Sequence, residues 1–252
     1  MKYILTRKFL KPTARLLAKE LGLVVRTEIV DDTFPTIRWG NSEGSSEDSP
    51  SNEETIYNSP ELIYFASSKK AFSTMMLEGN ITVIEFHKGT PEHYPVVVRT
   101  TLSGYGGKGI VVCENWEEFG QYDACWWSYW YNFSYELGVH ILGGMVVKVF
   151  RKEWSPTDEM ISLGISELKY PIRNSKKGYS FKLLSIEGHP KLYKTVEEFY
   201  KVFPIQMGRL DIGWDVNSKC YRVIEFNSAP GLAENDNTLK LYVDFLKEKL
   251  NG

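Results

Sequence analysis

The stretch RLDIGWDVNSKCYRVIEFNSAPGL, residues 209–232, has two alternating apolar runs on either side of a polar Asn-Ser pair. This pattern predicts a β-hairpin that turns at the Asn-Ser pair. The second strand is strongly apolar but contains Glu225 and Asn227, which are two residues apart and therefore share one face. Asp211 on the first strand can lie opposite them. Two carboxylates and an amide oxygen at one place predict a Mg²⁺ site.

The alternative is that these polar side chains simply face solvent on an amphipathic hairpin. Polar groups inside a strongly apolar strand cost free energy unless a ligand or partner satisfies them, which favours the metal site. Asp215 is also on the first strand but nearer to the turn. We expect Asp215 to face solvent and to take no part in metal binding.

A second stretch, YPVVVRTTLSGYGGKGIVV at residues 94–112, predicts two strands joined by a glycine-rich loop. Glycines leave backbone N–H groups accessible, as a phosphate-binding loop requires. A P-loop has Ser or Thr after its lysine, but Gly109 follows Lys108 here. A Rossmann loop is followed by a helix, but a β run follows here. The spacing fits a protein-kinase loop, yet no H-R-D or D-F-G motif follows. Taken alone, the pattern is weak and favours a hairpin with a flexible tip over a phosphate-binding loop.

Composition limits the class of protein. The 252 residues are 42% hydrophobic and 25% charged, with a net charge of −2, which predicts a globular protein without the basic surface of a nucleic-acid binder. The three cysteines show no C-x-x-C pairing, which favours a reducing, cytoplasmic environment. There is no run of 18 apolar residues and no signal segment, so we expect no membrane association.

The rest of the chain predicts a mixed α and β protein. The N-terminus predicts a βαβ unit, with Thr13 as the helix N-cap and Gly22 as its stop, and then a short strand in TIRWG. TVIEF, residues 82–86, predicts a strand. The aromatic run CWWSYWYNF, residues 125–133, is expected to be the end of a helix packed in the core. Further predictions are a hairpin at Gly143-Gly144, a helix capped by Thr195 and a closing amphipathic helix.

The glycine loop and the acidic hairpin together resemble the ATP-grasp superfamily, in particular its carboxylate–amine ligases, over roughly residues 60–235. The hairpin looks like that of D-alanine–D-alanine ligases, with an R-x-D and an E-x-N-x-x-P-G pattern. The resemblance implies an α+β ATP-grasp fold in three lobes. These are an N-terminal α/β lobe at residues 1–62, a central lobe with the glycine flap at 63–134, and a lobe with the metal hairpin at 135–252. ATP would lie between the last two lobes.

The family's usual activity is the ATP-dependent joining of a carboxylate to an amine through an acyl phosphate, with release of ADP and phosphate. The implied cofactors are ATP and Mg²⁺, with Mn²⁺ as a substitute, and the implied partners are small-molecule or peptide carboxylates and amines. A kinase-like phosphotransferase and a non-catalytic nucleotide-binding protein are the alternatives. The short N-terminal lobe fits a minimal, phage-type member, and a homodimer is compatible with the sequence.

The resemblance also assigns roles to individual residues. Asp211, Glu225 and Asn227 match the magnesium ligands, and Arg209 matches the arginine that steadies the transferring phosphoryl group. Nucleotide-binding roles fall on Lys69, Arg99, Gly104, Gly106, Gly107, Lys108, Tyr131, Phe133, Glu136 and Lys152, and acceptor-facing roles fall on Arg173 and Asn174.

Several of these assignments carry more detail. Glu136 would bind the ribose hydroxyls, and residues 131–133 would form a wall of the purine pocket. Either Lys69 or its neighbour Lys70 could reach phosphate, and spacing favours Lys69. The sequence departs from the family pattern at Arg99, where most members carry lysine, and at Gly138, where many carry arginine.

Overall fold

The computed structural model describes most of the chain, namely residues 2–8, 11–28, 36–42, 57–100, 109–123, 126–167, 169–174, 177–185, 187, 189–232 and 236–251. Four predicted nucleotide-binding residues of the glycine loop lie outside these described residues, namely Gly104, Gly106, Gly107 and Lys108.

Within its described residues, the N-terminal part forms a three-stranded parallel sheet with one helix. Its elements are β1 (Tyr3–Thr6), α1 (Lys11–Leu21), β2 (Val24–Arg26) and β3 (Thr36–Trp39), and the sheet order is β2-β1-β3. The predicted βαβ unit and third strand are therefore present. The N-cap prediction at Thr13 was wrong, because α1 already begins at Lys11. The predicted stop is confirmed by Gly22, whose φ of 65° suits glycine after a helix.

The middle of the chain has three helices and a small antiparallel sheet. Its elements are α2 (Pro60–Ser67), α3 (Lys69–Glu78), β4 (Val96–Arg99), β5 (Ile110–Cys113), α4 (Trp116–Phe119) and β6 (Trp126–Tyr129), with sheet order β5-β4-β6. The prediction of a helix end at the aromatic run was wrong, since this run forms β6. Aromatic residues favour strands, and their alternation puts Trp127 against the core formed with Val96 and Val98. TVIEF does not form a regular strand in the described residues. Its only β pairing there is the isolated bridge between Val83 and Val223.

The C-terminal part is a five-stranded antiparallel sheet with three helices. Its elements are β7 (Phe133–Leu142), β8 (Met145–Trp154), α5 (Asp158–Ser162), β9 (Tyr179–Leu184), α6 (Pro190–Val202), β10 (Met207–Asp215), β11 (Cys220–Asn227) and α7 (Asp236–Asn251), with sheet order β11-β10-β7-β8-β9. Both predicted hairpins are confirmed. Helix α6 begins before the predicted cap, and Thr195 lies inside the helix, where it donates a hydrogen bond to the Lys191 carbonyl.

The two faces of the five-stranded sheet differ in character. One face is apolar and packs Leu137 and Phe226 against Phe72 of α3 and Phe199 of α6. At one end of the other face, Leu142 and its neighbours pack against α7 and the N-terminal sheet. The rest of that second face, here called the polar face, carries charged side chains on β7, β8, β10 and β11 and the apolar side chains of Phe150, Phe181 and Leu183 on β8 and β9. None of the helices in the described part of the chain has the length and apolar character needed to cross a bilayer.

Candidate functional site

Strand register brings the predicted metal ligands together on the polar face. Asp211 on β10 is the direct cross-strand partner of Glu225 on β11, and Arg209 is the partner of Asn227. Residues two apart on a strand share a face, so all four side chains project from the same side of the sheet. The sequence prediction that the two acids and the amide converge is thus supported by the register.

Asp211 is a buried carboxylate between two cations. Its Oδ1 accepts a hydrogen bond from Arg209 Nε at 2.8 Å, and its Oδ2 accepts from Lys152 Nζ at 3.0 Å and from Arg209 Nη2 at 3.3 Å. Burial alone would raise the pKa of Asp211, but Arg209 and Lys152 lower it to about 2. Asp211 is therefore ionised at neutral pH.

Lys152 connects two carboxylates in the interior of the site. Its ammonium lies 3.0 Å from Glu136 and 3.0 Å from Asp211, and its side chain is 7% exposed. Burial favours the neutral amine, but Asp211 and Glu136 outweigh it and raise the pKa of Lys152. The resemblance gave Lys152 a contact with phosphate, whereas the structure places the ammonium between these two acids. A direct phosphate contact stays a prediction.

The charges continue to the loop before β9. Arg173 Nη1 lies 3.3 Å from Glu136 Oε1, and Arg173 Nη2 donates to the Phe133 carbonyl at 3.0 Å. Alternating charges thus run in order through Arg173, Glu136, Lys152, Asp211 and Arg209. Arg173, which was predicted to face the acceptor substrate, is part of this network of ion pairs. Beside it, the amide nitrogen of Asn174 donates to the Ile172 carbonyl at 3.4 Å.

The two lysines at the start of α3 make different contacts. Lys69 forms an ion pair with Glu225, whereas the ammonium of Lys70 lies 4.6 Å from the centre of the Trp126 ring. Burial would raise the pKa of Glu225, but Lys69 brings it below the ordinary value. Of the two lysines, Lys69 is therefore the one that contacts a predicted metal ligand, and the predicted phosphate contact stays a prediction.

Arg99, at the end of β4 in the small sheet, interacts with the charge of Glu225. Its guanidinium lies 5.2 Å from the centre of the Phe86 ring, and its Nε is buried without a hydrogen-bond partner among the described residues. Burial lowers the pKa of Arg99, while the charge of Glu225 acts to raise it. Since Arg99 ends β4, the end of this strand lies within electrostatic range of Glu225.

Gly138 provides the space that the Arg209 side chain occupies. A Cβ at position 138 would lie 3.0 Å from Arg209 Cδ, 3.3 Å from Arg209 Nε and 3.6 Å from Asp211 Oδ1. Arg209 crosses β7 at this point, and its guanidinium lies 5.1 Å from the centre of the Phe181 ring on β9. A side chain at position 138 would therefore compete with Arg209 for this space.

The predicted purine wall lies beside Glu136. The rings of Tyr131 and Phe133 are stacked with centres 5.9 Å apart, and the Phe133 ring lies against Gly213, where a Cβ would come within 2.5 Å of it. Gly213 is the cross-strand partner of Glu136. An aromatic surface therefore adjoins the acid that the resemblance assigns to ribose.

The expectation that Asp215 faces solvent was wrong. Asp215 is buried, lies 3.2 Å from Arg222 and accepts a hydrogen bond from the backbone N–H of Asn217 at 3.0 Å. The Arg222 guanidinium in turn lies 4.1 Å from the centre of the Tyr131 ring. Asp215 thus stabilises the hairpin turn, and it pairs with the arginine that packs on Tyr131 of the aromatic wall.

Sequence reasoning missed His140, which is the cross-strand partner of Arg209 and is almost fully buried. Its Nδ1 lies 3.1 Å from the Tyr242 hydroxyl, which donates to the Gly208 carbonyl at 2.9 Å. Burial and the nearby Arg209 charge lower the pKa of His140 to about 3. Only its position on the site face of β7 could have indicated it.

His140 makes the fold sensitive to mild acid. Its pKa is lower in the folded than in the unfolded chain, so the unfolded state gains the proton first as pH falls below about 6.5. We expect the His140 contribution to decrease by about 1.4 kcal/mol per pH unit between there and pH near 3. Urea unfolding should therefore lose more stability from pH 7 to pH 5 in the wild type than in His140→Gln. The exposed-site control His93→Gln should match the wild type, and equal losses in all three proteins would refute this role.

The site as a whole has more positive than negative side chains. The carboxylates of Glu136, Asp211 and Glu225 are accompanied by Lys69, Arg99, Lys152, Arg173 and Arg209. No group of three or more His, Cys, Asp and Glu side chains suited to a metal occurs among the described residues. The arrangement therefore suits an anionic ligand, with oxygen donors for a hard cation at its centre.

Comparison with solved structures finds ATP-grasp ligases. The chain is similar to the ATP-grasp ligase PsnB with a minimal precursor, at 10% identity and a TM-score of 0.65 over 98% of this chain and 99% of that chain. It is similar to D-alanine–D-alanine ligase from Bacillus anthracis, at 12% identity and 0.67 over 100% and 96%. It is also similar to VanG D-Ala:D-Ser ligase from Enterococcus faecalis, at 15% identity and 0.55 over 78% and 64%. No protein-family model and no curated sequence matches. At these identities the likeness establishes the fold alone, and the chain has the α+β ATP-grasp fold.

Proposed function

We propose that this protein is an ATP-dependent carboxylate–amine ligase that forms an acyl phosphate and releases ADP and phosphate. The observation that carries the proposal is the surplus of cations around the adjacent acids Asp211 and Glu225, next to the end of β4. ATP brings about four negative charges, and Mg²⁺ offsets part of them. A site with more cations than carboxylates therefore suits ATP bound together with Mg²⁺. The three-lobe division at residues 1–62, 63–134 and 135–252 is part of the same proposal.

The residues present fit a magnesium ion. Asp211, Glu225 and Asn227 provide hard oxygen donors, and Asp211 Oδ1 accepts a single hydrogen bond within the described residues. These three residues would hold the ion. When bound, Mg²⁺ would supply charge neutralisation for the phosphates.

Several side chains would take part in phosphoryl transfer. Arg209 is oriented by Asp211 and Phe181, and its planar fork suits the spread charge of a phosphoryl group and an acyl phosphate. Lys69 pairs with Glu225, and Arg99 lies within electrostatic range of the same carboxylate. The buried Arg99 Nε that lacks a partner among the described residues is a donor that a phosphate oxygen would satisfy. Positioning and charge cancellation suffice, so no side-chain nucleophile is required.

The nucleotide base and ribose would lie at the opposite end of the face. Tyr131 and Phe133 offer an aromatic wall, and Glu136 is held in place by Lys152 and Arg173. The segment at residues 101–108, with its glycines and Lys108, would cover the phosphates.

The similar structures favour a ligase over a phosphotransferase. PsnB is described as a ligase solved with precursor peptides, and the Bacillus anthracis enzyme as a D-alanine–D-alanine ligase. The donor and acceptor would accordingly be amino acids or peptides. A kinase is the alternative function. An assay can distinguish the two, because a kinase leaves the phosphoryl group on its product and a ligase releases free phosphate.

The fate of phosphate tests this function. With Mg²⁺, ATP, a pool of amino acids and peptides, and hydroxylamine as a substitute amine, we expect ADP, free phosphate and a hydroxamate. Phosphorus NMR that shows the phosphoryl group attached to a product would favour the kinase. An absence of any ATP turnover with every pool would contradict a ligase. Glu225→Gln should abolish the turnover, and Glu197→Gln, on an exposed helix surface, should leave it unchanged.

A further inference from the structure

We propose that His140 and Tyr242 are positioning residues that hold Arg209 in place for phosphoryl transfer. This inference rests on the proposed function and adds two residues to the same site. Both side chains are almost fully buried, so they would act without touching ATP or substrate. Their effect would pass through the backbone of β10, at the peptide bond between Gly208 and Arg209.

The hydrogen bonds of the two side chains run in one direction. The Tyr242 hydroxyl donates its single proton to the Gly208 carbonyl at 2.9 Å, because a carbonyl oxygen can only accept. The Nδ1 of His140, 3.1 Å from the same hydroxyl, is therefore the donor to it. Burial and the Arg209 charge lower the pKa of His140 to about 3, so the imidazole is neutral at pH 7 and its proton is on Nδ1. Burial raises the pKa of Tyr242, so the hydroxyl keeps its proton.

The Gly208 carbonyl belongs to the planar peptide unit that contains the nitrogen of Arg209. A hydrogen bond to this carbonyl therefore restricts the backbone from which the Arg209 side chain begins. Position 208 needs glycine, because a Cβ there would overlap the Phe226 ring and lie 2.6 Å from the Asn227 carbonyl oxygen. Since glycine has the greatest backbone freedom, the hydrogen bond from Tyr242 has most to restrict at this position.

Tyr242 is itself held between buried aromatic rings. Its centre lies 5.7 Å from that of Trp39 on β3 and 5.8 Å from that of His140 on β7, and both pairs meet edge to face. His140 is also the direct cross-strand partner of Arg209. The two hydrogen bonds thus connect β7 and α7 to β10 immediately before the arginine.

The side-chain contacts of Arg209 leave this backbone anchor to be supplied. Asp211 and Phe181 orient the guanidinium, but they do not determine the position of the Arg209 Cα. A displacement of about 1 Å at a reacting group can lower the rate about a hundredfold. Loss of the anchor should therefore reduce the rate of phosphoryl transfer more than it reduces ATP binding.

Four variants isolate the hydrogen bonds from the packing. Tyr242→Phe removes the hydroxyl, and His140→Leu removes the donor on the ring. His140→Asn is the rescue variant, because its amide nitrogen can take the position of Nδ1. Tyr57→Phe is the matched control, because Tyr57 is buried in the same apolar cluster and packs on Phe245 of α7 at 5.5 Å. Its hydroxyl has no hydrogen bond within the described residues.

The first readout separates turnover from nucleotide binding. We expect Tyr242→Phe and His140→Leu to lower kcat for hydroxamate formation about tenfold to a hundredfold, while the Kd of ATP with Mg²⁺ changes less than about twofold. His140→Asn should recover most of the lost kcat, and Tyr57→Phe should match the wild type. Calorimetry with ATP also gives the fraction of protein that binds nucleotide, which corrects kcat for any unfolded protein.

The second readout requires no turnover. The Arg209 Nε proton is donated to Asp211 at 2.8 Å, and its NMR signal is identified by its loss in Arg209→Lys. We expect this proton to exchange with solvent about fivefold faster or more in Tyr242→Phe and His140→Leu, and at the wild-type rate in Tyr57→Phe.

Three outcomes would overturn the inference. These are an unchanged kcat in Tyr242→Phe, an unchanged exchange rate of the Arg209 Nε proton in that variant, and equal losses of kcat in His140→Asn and His140→Leu. A wild-type protein without any ATP turnover would refute the proposed function instead. The exchange rates would then still decide whether His140 and Tyr242 position Arg209.

Discussion

Replacing Lys152 with methionine is expected to lower the free energy of unfolding by about 3–5 kcal/mol. The substitution keeps most of the apolar length of the side chain but removes the charge that lies 3.0 Å from both Glu136 and Asp211. Two buried carboxylates would then lack their shared cation. Glu136 and Asp211 would keep Arg173 and Arg209 as partners, but each would lose a buried charged hydrogen bond, which is worth more than an exposed ion pair.

Urea unfolding at neutral pH measures this effect. The matched control is Lys201→Met, which removes an exposed lysine paired with Glu197 at 2.7 Å and should leave the midpoint unchanged within error. A loss in Lys152→Met no larger than in the control would contradict the buried charge chain.

The effect of Glu225→Gln on ATP affinity is expected to depend on magnesium. With Mg²⁺, loss of a carboxylate donor should weaken ATP binding about tenfold or more, equivalent to roughly 1.4 kcal/mol. Without Mg²⁺, loss of a negative charge and release of Lys69 should leave ATP binding as tight as in wild type, or tighter.

Titration calorimetry with ATP, in the presence of Mg²⁺ and of a chelator, separates these effects. Asn227→Ala should also weaken binding with Mg²⁺, but it should not strengthen binding without the ion, because it removes no charge. Parallel weakening of Glu225→Gln under both conditions would mean that Glu225 acts on the fold and not on the metal.

The hairpin and its acids could be predicted from sequence because their signals are local. Alternation of residues two apart fixed the faces of β10 and β11, and the turn residues fixed the hairpin. The convergence of Asp211 and Glu225 needs only these rules. Spacing favoured Lys69 over Lys70 for a phosphate contact, which stays a prediction, and the structure pairs Lys69 with Glu225.

The missed features depend on contacts between distant segments. The burial of Asp215 follows from Arg222 across the hairpin, and the position of Lys152 follows from strand order in the sheet. The aromatic run 126–129 was predicted as a helix end because its local sequence is ambiguous, and pairing with β4 decides it. Thr13 and Thr195 can each cap a helix, but both helices extend further toward the N-terminus.

The central claim is that Asp211, Glu225 and Asn227 hold a divalent cation together with the phosphates of ATP. Paramagnetic Mn²⁺ with ATP tests it most directly, because the ion broadens the amide signals of nearby residues in a ¹⁵N-labelled protein. We predict that signals of residues 209–211 and 225–227 disappear first and that signals of the remote helix α5 persist. Unchanged signals at these strands, with broadening centred elsewhere or with no broadening at all, would contradict the claim.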